Sequence, residues 1–230
     1  MMLTADTLRR HLADLVVVFV GVALAFAVEN LREDLNERAV GEQYLHGFRE
    51  DLLADLSMLQ AQQEIRRSQL ENALVVLRYF EGQSGDPQRF FEAYYAVLVD
   101  RYTAPNRNTI DEVLSSGGLR LIRDPEIRAH LLNLYAIYNR ISRLEEHMAR
   151  DFDEYLYDPT FSSIRIQFEG PWDDSPEIRQ NIETLINNTR IENGIRLLVA
   201  NLEAANWGVL DELDLVHSKV EQLLQLIPAE

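Results

Sequence analysis

The run LADLVVVFVGVALAFAVEN, residues 12–30, constrains this chain more than any other stretch. Its uninterrupted apolar part is Leu15, Val16, Val17, Val18, Phe19, Val20, Gly21, Val22, Ala23, Leu24, Ala25, Phe26, Ala27 and Val28. At about 1.5 Å per residue these positions cover roughly 21 Å, and roughly 26 Å if Leu12, Ala13 and Asp14 are added. A bilayer's hydrocarbon core is about 30 Å thick. Three readings compete. A signal peptide would use Arg9 and Arg10 as its basic start and Ala25-Phe26-Ala27 as a small-x-small cleavage site. A core helix would show a polar face, whereas the breaks between residues 15 and 28 are glycine and alanine alone. A helix that is apolar all round belongs in lipid or deep inside a large protein. We read the segment as an uncleaved membrane anchor.

The anchor is short and carries a carboxylate near one end. Asp14 is costly at the bilayer centre but tolerable in the headgroup zone or against a neighbouring protein. Gly21, Ala23, Ala25 and Ala27 are small enough for another helix to approach closely. Orientation is weakly encoded: Arg9 and Arg10 precede the span, and Arg32 and Arg38 follow it. A short tail with arginines against the apolar run favours a cytoplasmic N-terminus and a periplasmic bulk domain, in a bacterial inner membrane. Residues 1–30 then form tail and anchor, and 31–230 a soluble domain large enough to bury a core.

Composition removes whole classes of function. A net charge of −16 argues against nucleic acid, whose phosphates call for a basic surface. Zero cysteines exclude disulfides, thiolate chemistry and Cys-ligated metals. His46 with Glu50, His147 with Asp151 and His217 with Glu221 share helix faces, but no Glu-x-x-His element of the di-iron type accompanies them. Exposed ion pairs explain all three. Ser115-Ser116-Gly117-Gly118 lacks the pattern of a nucleophile elbow or a phosphate loop. We expect no enzyme activity, no metal and no cofactor.

The remaining pattern is helical almost throughout, and the expected fold class is all-α, an antiparallel bundle with long coiled-coil-like helices. Leu45, Phe48, Leu52, Leu56 and Leu59 step by three and four, so the anchor helix should continue outward towards Phe80, with Gly41 and Gly47 as its weak points. Asp86-Pro87, Asp124-Pro125 and Ser175-Pro176 each place a capping side chain before a first-turn proline. Thr109 with Glu112 is spaced as a capping box, and Ser116-Gly117-Gly118 should stop that helix. Leu131, Leu134, Tyr138, Ile141, Met148, Phe152 and Tyr155 keep a seven-residue repeat. Ile195, Val199, Leu202, Asn206, Val209, Leu213, Val216, Val220, Leu223 and Ile227 form a longer seam, in which Asn206 is the one polar position. It closes either an intramolecular bundle or an intermolecular coil. One segment departs from helix: Ile164, Ile166 and Phe168 alternate with polar residues, as in a strand, and Trp172 follows. It reads as a loop over the bundle or as a strand for a partner's sheet edge.

The stretches YLHGFREDLLADL and TIDEVLSSGGLRLIRDPEIRAHLLNLY give the chain a familiar look. With Asn30 and Glu33, Tyr44-Leu45, Asp51-Leu52, Asp55-Leu56 and Ser116-Gly117-x-Leu119, the chain resembles an uncharacterised bacterial family of single-span membrane proteins. Leu31 departs from the aromatic usual after the first Asn. The resemblance spans roughly residues 10 to 140 and implies an anchored helical protein without an assigned activity. Two functional classes follow. The first is a non-catalytic accessory subunit docked on other membrane protein subunits, for which a respiratory or photosynthetic complex is a natural host. The second is a homo-oligomer with a pore or sensing role. Asp14, Ile164, Ile166, Phe168, Trp172 and Asn206 are the candidate protein contacts, beside the lipid bilayer around residues 15–28.

Overall fold

A computed structural model describes residues 5–83, 85–99, 101–156, 176–204 and 208–228; the side chains of 5–14 and 178 lie outside that description. The chain is all-α. Its first helix, α1 (Ala5–Phe80), runs for 76 residues without interruption, about 114 Å at the usual rise. No proline stands within it, and its three glycines do not break it. Gly41 and Gly47 are points of close packing: a Cβ at Gly41 would strike the Leu121 carbonyl oxygen, and one at Gly47 would lie 2.8 Å from Thr109 Oγ1.

Three columns of helix pack around the outer two-thirds of α1. α2 (Pro87–Val97) and α3 (Asn108–Ser115) come back down it one after the other. Gln69 of α1 holds the Val97 carbonyl, and Tyr44 meets Ser116, so the descent is tens of residues long. A 3-10 turn (Gly118–Leu121) leads into α4 (Pro125–Asp151), which climbs parallel to α1: Tyr138 meets Asp55 and Glu145 meets Arg66. A π-helical turn (Phe152–Leu156) closes α4, tucked against Gly194, where any Cβ would lie 2.7 Å from Tyr155 and Leu156. After α5 (Pro176–Ile186), α6 (Thr189–Glu203) and α7 (Val209–Leu226) form the last descending column. The result is an up-down-up-down bundle whose two descending members are each broken.

Asp86 and Asp124 cap α2 and α4 as their Asp-Pro pairs suggested, each accepting a backbone N–H two residues on. Gly117 takes the left-handed conformation that ends α3, at φ 68°. Two expectations are corrected. α3 begins at Asn108, so Thr109 lies inside it and is no cap; its N–H donates to Asp51 of α1, and the Asn108 N–H to Asn106. The C-terminal seam is two helices, not one. Gly208 brings its backbone so close to Leu202 and Ala204 that a Cβ would sit 2.8 Å from the Leu202 carbonyl oxygen. On both sides of that break Ile195, Leu202, Val209, Leu213, Val216, Val220, Leu223 and Ile227 are buried in the chain's own core, so the described part of the seam is intramolecular.

Candidate functional site: an exposed apolar helix clasped by its own bundle

Between residues 15 and 33 every side chain of α1 is exposed. The large apolar ones, from Leu15 to Val28, are 47–72% exposed. Soluble monomers rarely display an apolar surface of this extent. α1 is long and apolar enough to cross a membrane. The same helix, from Phe48 onward, supplies core residues of the bundle. The exposed apolar stretch and the core therefore belong to one continuous helix.

The bundle grips α1 where this exposed stretch ends. Arg123 bonds the Asp34 carboxylate, Arg38 reaches the same group at 2.8 Å, and Arg120 meets Glu37 at 2.6 Å. The Arg123 guanidinium beside Asp34 holds its carboxyl below the usual range. Above these pairs the 3-10 turn lies flat on α1, with Leu121 over Gly41 and Gly118 against the Tyr44 ring. The Tyr44 hydroxyl and Ser116 Oγ are 3.2 Å apart.

Further out, the connection between α2 and α3 leaves backbone groups inside the bundle that no helix satisfies, and such groups need partners. Side chains supply them from a ladder on α1. Asp51 accepts from Thr109 N, Asp55 from Asn106 N, Gln62 donates to Tyr102 O, Arg66 to Arg101 O, and Gln69 to Val97 O and Val99 O. From α4, Glu145 accepts from both Thr103 N and Thr103 Oγ1 and pairs with Arg66 at 2.9 Å. Arg66 and Glu145 are 1% exposed each. Tyr138 donates to Asp55 at 2.7 Å. Burial pushes the Asp55 carboxyl up, against the pull of Asn106 N–H and Tyr138 OH, and pushes the Tyr135 and Tyr138 hydroxyls far above their ordinary value.

Thus Tyr44, Asp51, Asp55, Ser116, Gly117 and Gly118 converge on one structural unit, a clasp that joins α3 and its 3-10 turn to α1. Asn30 and Glu33 stand apart on the exposed stalk. Arg66 and Glu145 were missed by the sequence reading. Their signal was present: Glu145 fills the repeat position between Ile141 and Met148, where an apolar residue belongs. Asp14 lies on α1, with its side chain outside the described residues; Ile164, Ile166, Phe168, Trp172 and Asn206 lie outside them altogether. His46 and Glu50 are 3.9 Å apart, and His147 and Asp151 3.8 Å, both as i, i+4 pairs with exposed histidines. Among the described residues no three His, Asp or Glu side chains gather as a metal site would require. No protein-family model, no curated protein and no solved structure matches the chain.

Proposed function

We propose that the chain is a non-catalytic, membrane-anchored accessory subunit that docks on and stabilises a larger membrane protein complex. The anchor would be a single span in a bacterial inner membrane, with a cytoplasmic N-terminus and a periplasmic bundle. One observation carries this reading: the exposed apolar residues 15–28 belong to the same unbroken helix as the bundle core. Each large apolar side chain left in water costs on the order of 1.5–3 kcal/mol relative to burial, so that face needs lipid or protein around it. A rigid stalk then presents the bundle at a fixed height above the bilayer, as suits a brace in a larger assembly. An energy-conversion complex, respiratory or photosynthetic, is the host we favour. Asp14, Ile164, Ile166, Phe168, Trp172 and Asn206 are its proposed contacts.

The second reading is a homo-oligomer with a pore or sensing role. Gentle solubilisation of native membranes, followed by sizing, separates the two. Co-migration with unrelated subunits supports the accessory role; a symmetric assembly of this chain alone supports the other. Replacing Ile164, Ile166 and Phe168 together by serine should release the chain from its host with helix content unchanged. A triple variant that stays bound and only melts earlier would remove that segment from the docking surface. Extraction of the whole chain by alkaline carbonate would reject the anchor itself.

A further inference from the structure

The ion pairs that close the clasp share one asymmetry. In each, the arginine is the outer member. The Arg120 side chain is 73% exposed against 29% for Glu37, and Arg38 and Arg123 are 55% and 49% exposed against 39% for Asp34. Three guanidinium groups therefore answer two carboxylates, in a chain whose net charge is −16. Their bonding capacity is only partly used. Arg120 reaches Glu37 through Nη1, and Arg123 reaches Asp34 through Nη2, whereas each guanidinium carries five N–H donors. Asp124, beside them, is turned to its own helix as the α4 cap.

Their depth can be read along α1, which is unbroken here. Asp34 lies six residues past Val28, about 9 Å along the axis, and Glu37 about 14 Å. Side chains on a helix lean towards its N-terminus, which at this point is towards the apolar run. The polar layer of one leaflet is roughly 5–8 Å deep. The apolar run, at about 21 Å, is also about 9 Å shorter than a hydrocarbon core. A short span is accommodated by local thinning of the bilayer and by flanking side chains that reach for the interface. Both bring the arginines closer to the headgroups. Glu33, exposed on the stalk, stands within the same layer, and Glu42 lies a turn farther out than Arg38.

We propose that the base of the bundle is seated on the headgroup layer, with Arg38, Arg120 and Arg123 donating to lipid phosphates. The inference rests on the membrane-anchor reading and names the lipid chemistry that the anchored bundle meets. A guanidinium presents paired donors that match phosphate oxygens, and such charge-assisted bonds are among the strong ones. The headgroup that suits the site is zwitterionic phosphatidylethanolamine, whose phosphate meets the arginines and whose ammonium meets Glu33. A purely anionic surface would set like charge against Glu29 and Glu33. The span fixes the height of the bundle, and the arginines seat it on the leaflet.

The test measures how close these guanidinium carbons come to lipid phosphorus. The full chain, with arginine isotope-labelled at Cζ, is reconstituted in phosphatidylethanolamine–phosphatidylcholine vesicles for solid-state NMR. Arg9→Lys, Arg10→Lys and Arg32→Lys keep their charges and remove the guanidinium groups nearest the span. In that background the Cζ signal should still be dephased by lipid phosphorus. Adding Arg38→Lys, Arg120→Lys and Arg123→Lys should abolish most of the dephasing. No dephasing in the background chain, or dephasing undiminished by the second set, overturns the proposal. A second measurement changes none of these arginines. The chain has no cysteine, so a fluorophore can be placed on Glu126→Cys at the base or on Gln83→Cys at the far end of α1. Lipid carrying a nitroxide on its headgroup should quench the base label several-fold more than the far one; equal quenching overturns the seating. Flotation keeps the two ideas apart. A chain that floats with lipid but shows no phosphorus contact refutes the seating and leaves the anchor standing. A chain that does not float refutes the anchor, and the seating falls with it.

Discussion

Asp55 illustrates how much of this bundle rests on single buried side chains. Its two oxygens satisfy Asn106 N–H and the Tyr138 hydroxyl. Asp55→Ala would orphan both donors at about 1–3 kcal/mol each, so urea unfolding should show a loss of roughly 2–5 kcal/mol. Asp55→Asn keeps an acceptor and supplies a donor, and should cost much less. The same residue leaves a mark on pH dependence. Its carboxyl is raised by burial above 3.8, so the folded chain binds that proton more tightly than the unfolded one. Its contribution favours folding at low pH, falls as pH rises from 3.8 through the raised value, and levels off above it. Asp34 acts in the opposite sense. Lowered by Arg123, it stabilises above 3.8 and loses that effect as pH falls through its folded value. Unfolding midpoints measured from pH 3 to 7 should therefore lose the falling limb just above 3.8 in Asp55→Asn. An unchanged profile would mean that Asp55 is not titrating in a buried site.

Among the elements, the broken α2–α3 column explains the buried charge of Asp51, Asp55, Arg66 and Glu145. A continuous helix there would need no ladder; a non-helical connection does. Arg66 and Glu145 answer each other and also hold Arg101 O and the Thr103 backbone and hydroxyl. Glu145→Leu strands the Arg66 charge and should cost about 3–5 kcal/mol. Apolar replacement of both members of a buried pair is often neutral. Here it is not expected to be, because the Arg66→Met, Glu145→Leu double variant still orphans Arg101 O and Thr103 N, at about 1–3 kcal/mol each. A double variant as stable as the parent would show that water or a local shift satisfies that connection. Sequence reading reached this element only in part. The Asp-Pro caps and the left-handed Gly117 are local chemistry, and local chemistry is legible. Glu145 was visible as a misfit in the repeat, but its partner is 79 residues away, and spacing along one chain does not encode that distance. Asp51 was noticed only as part of an Asp-Leu pair, because a cap delivered from another helix leaves no mark beside the helix it caps. The break at Gly208 escaped because α6 and α7 bury the same side of one repeat, so the periodicity runs straight across it.

At the scale of the whole molecule, the decisive property is that the exposed apolar stretch, the stalk and the core share a single helix. The stretch from Val28 to Glu33 has no bundle around it, yet it is helical, flanked by the apolar run on one side and by the Arg123 and Arg38 grip on Asp34 on the other. If it holds in membranes, bundle height and orientation are fixed by the span, and protease should find no site there despite the exposure. Asn30→Pro tests this directly. Proline removes one helical hydrogen bond and clashes with the preceding turn, at about 3 kcal/mol or more, but it lies outside the packed core. The variant's bundle should melt within a degree or two of the parent, while trypsin acting on intact vesicles should now cut at Arg32 and release a fragment beginning near residue 33. Release of the same fragment from the parent chain at the same rate would show the stalk to be a flexible tether, and the span would then no longer set how the bundle stands on the membrane.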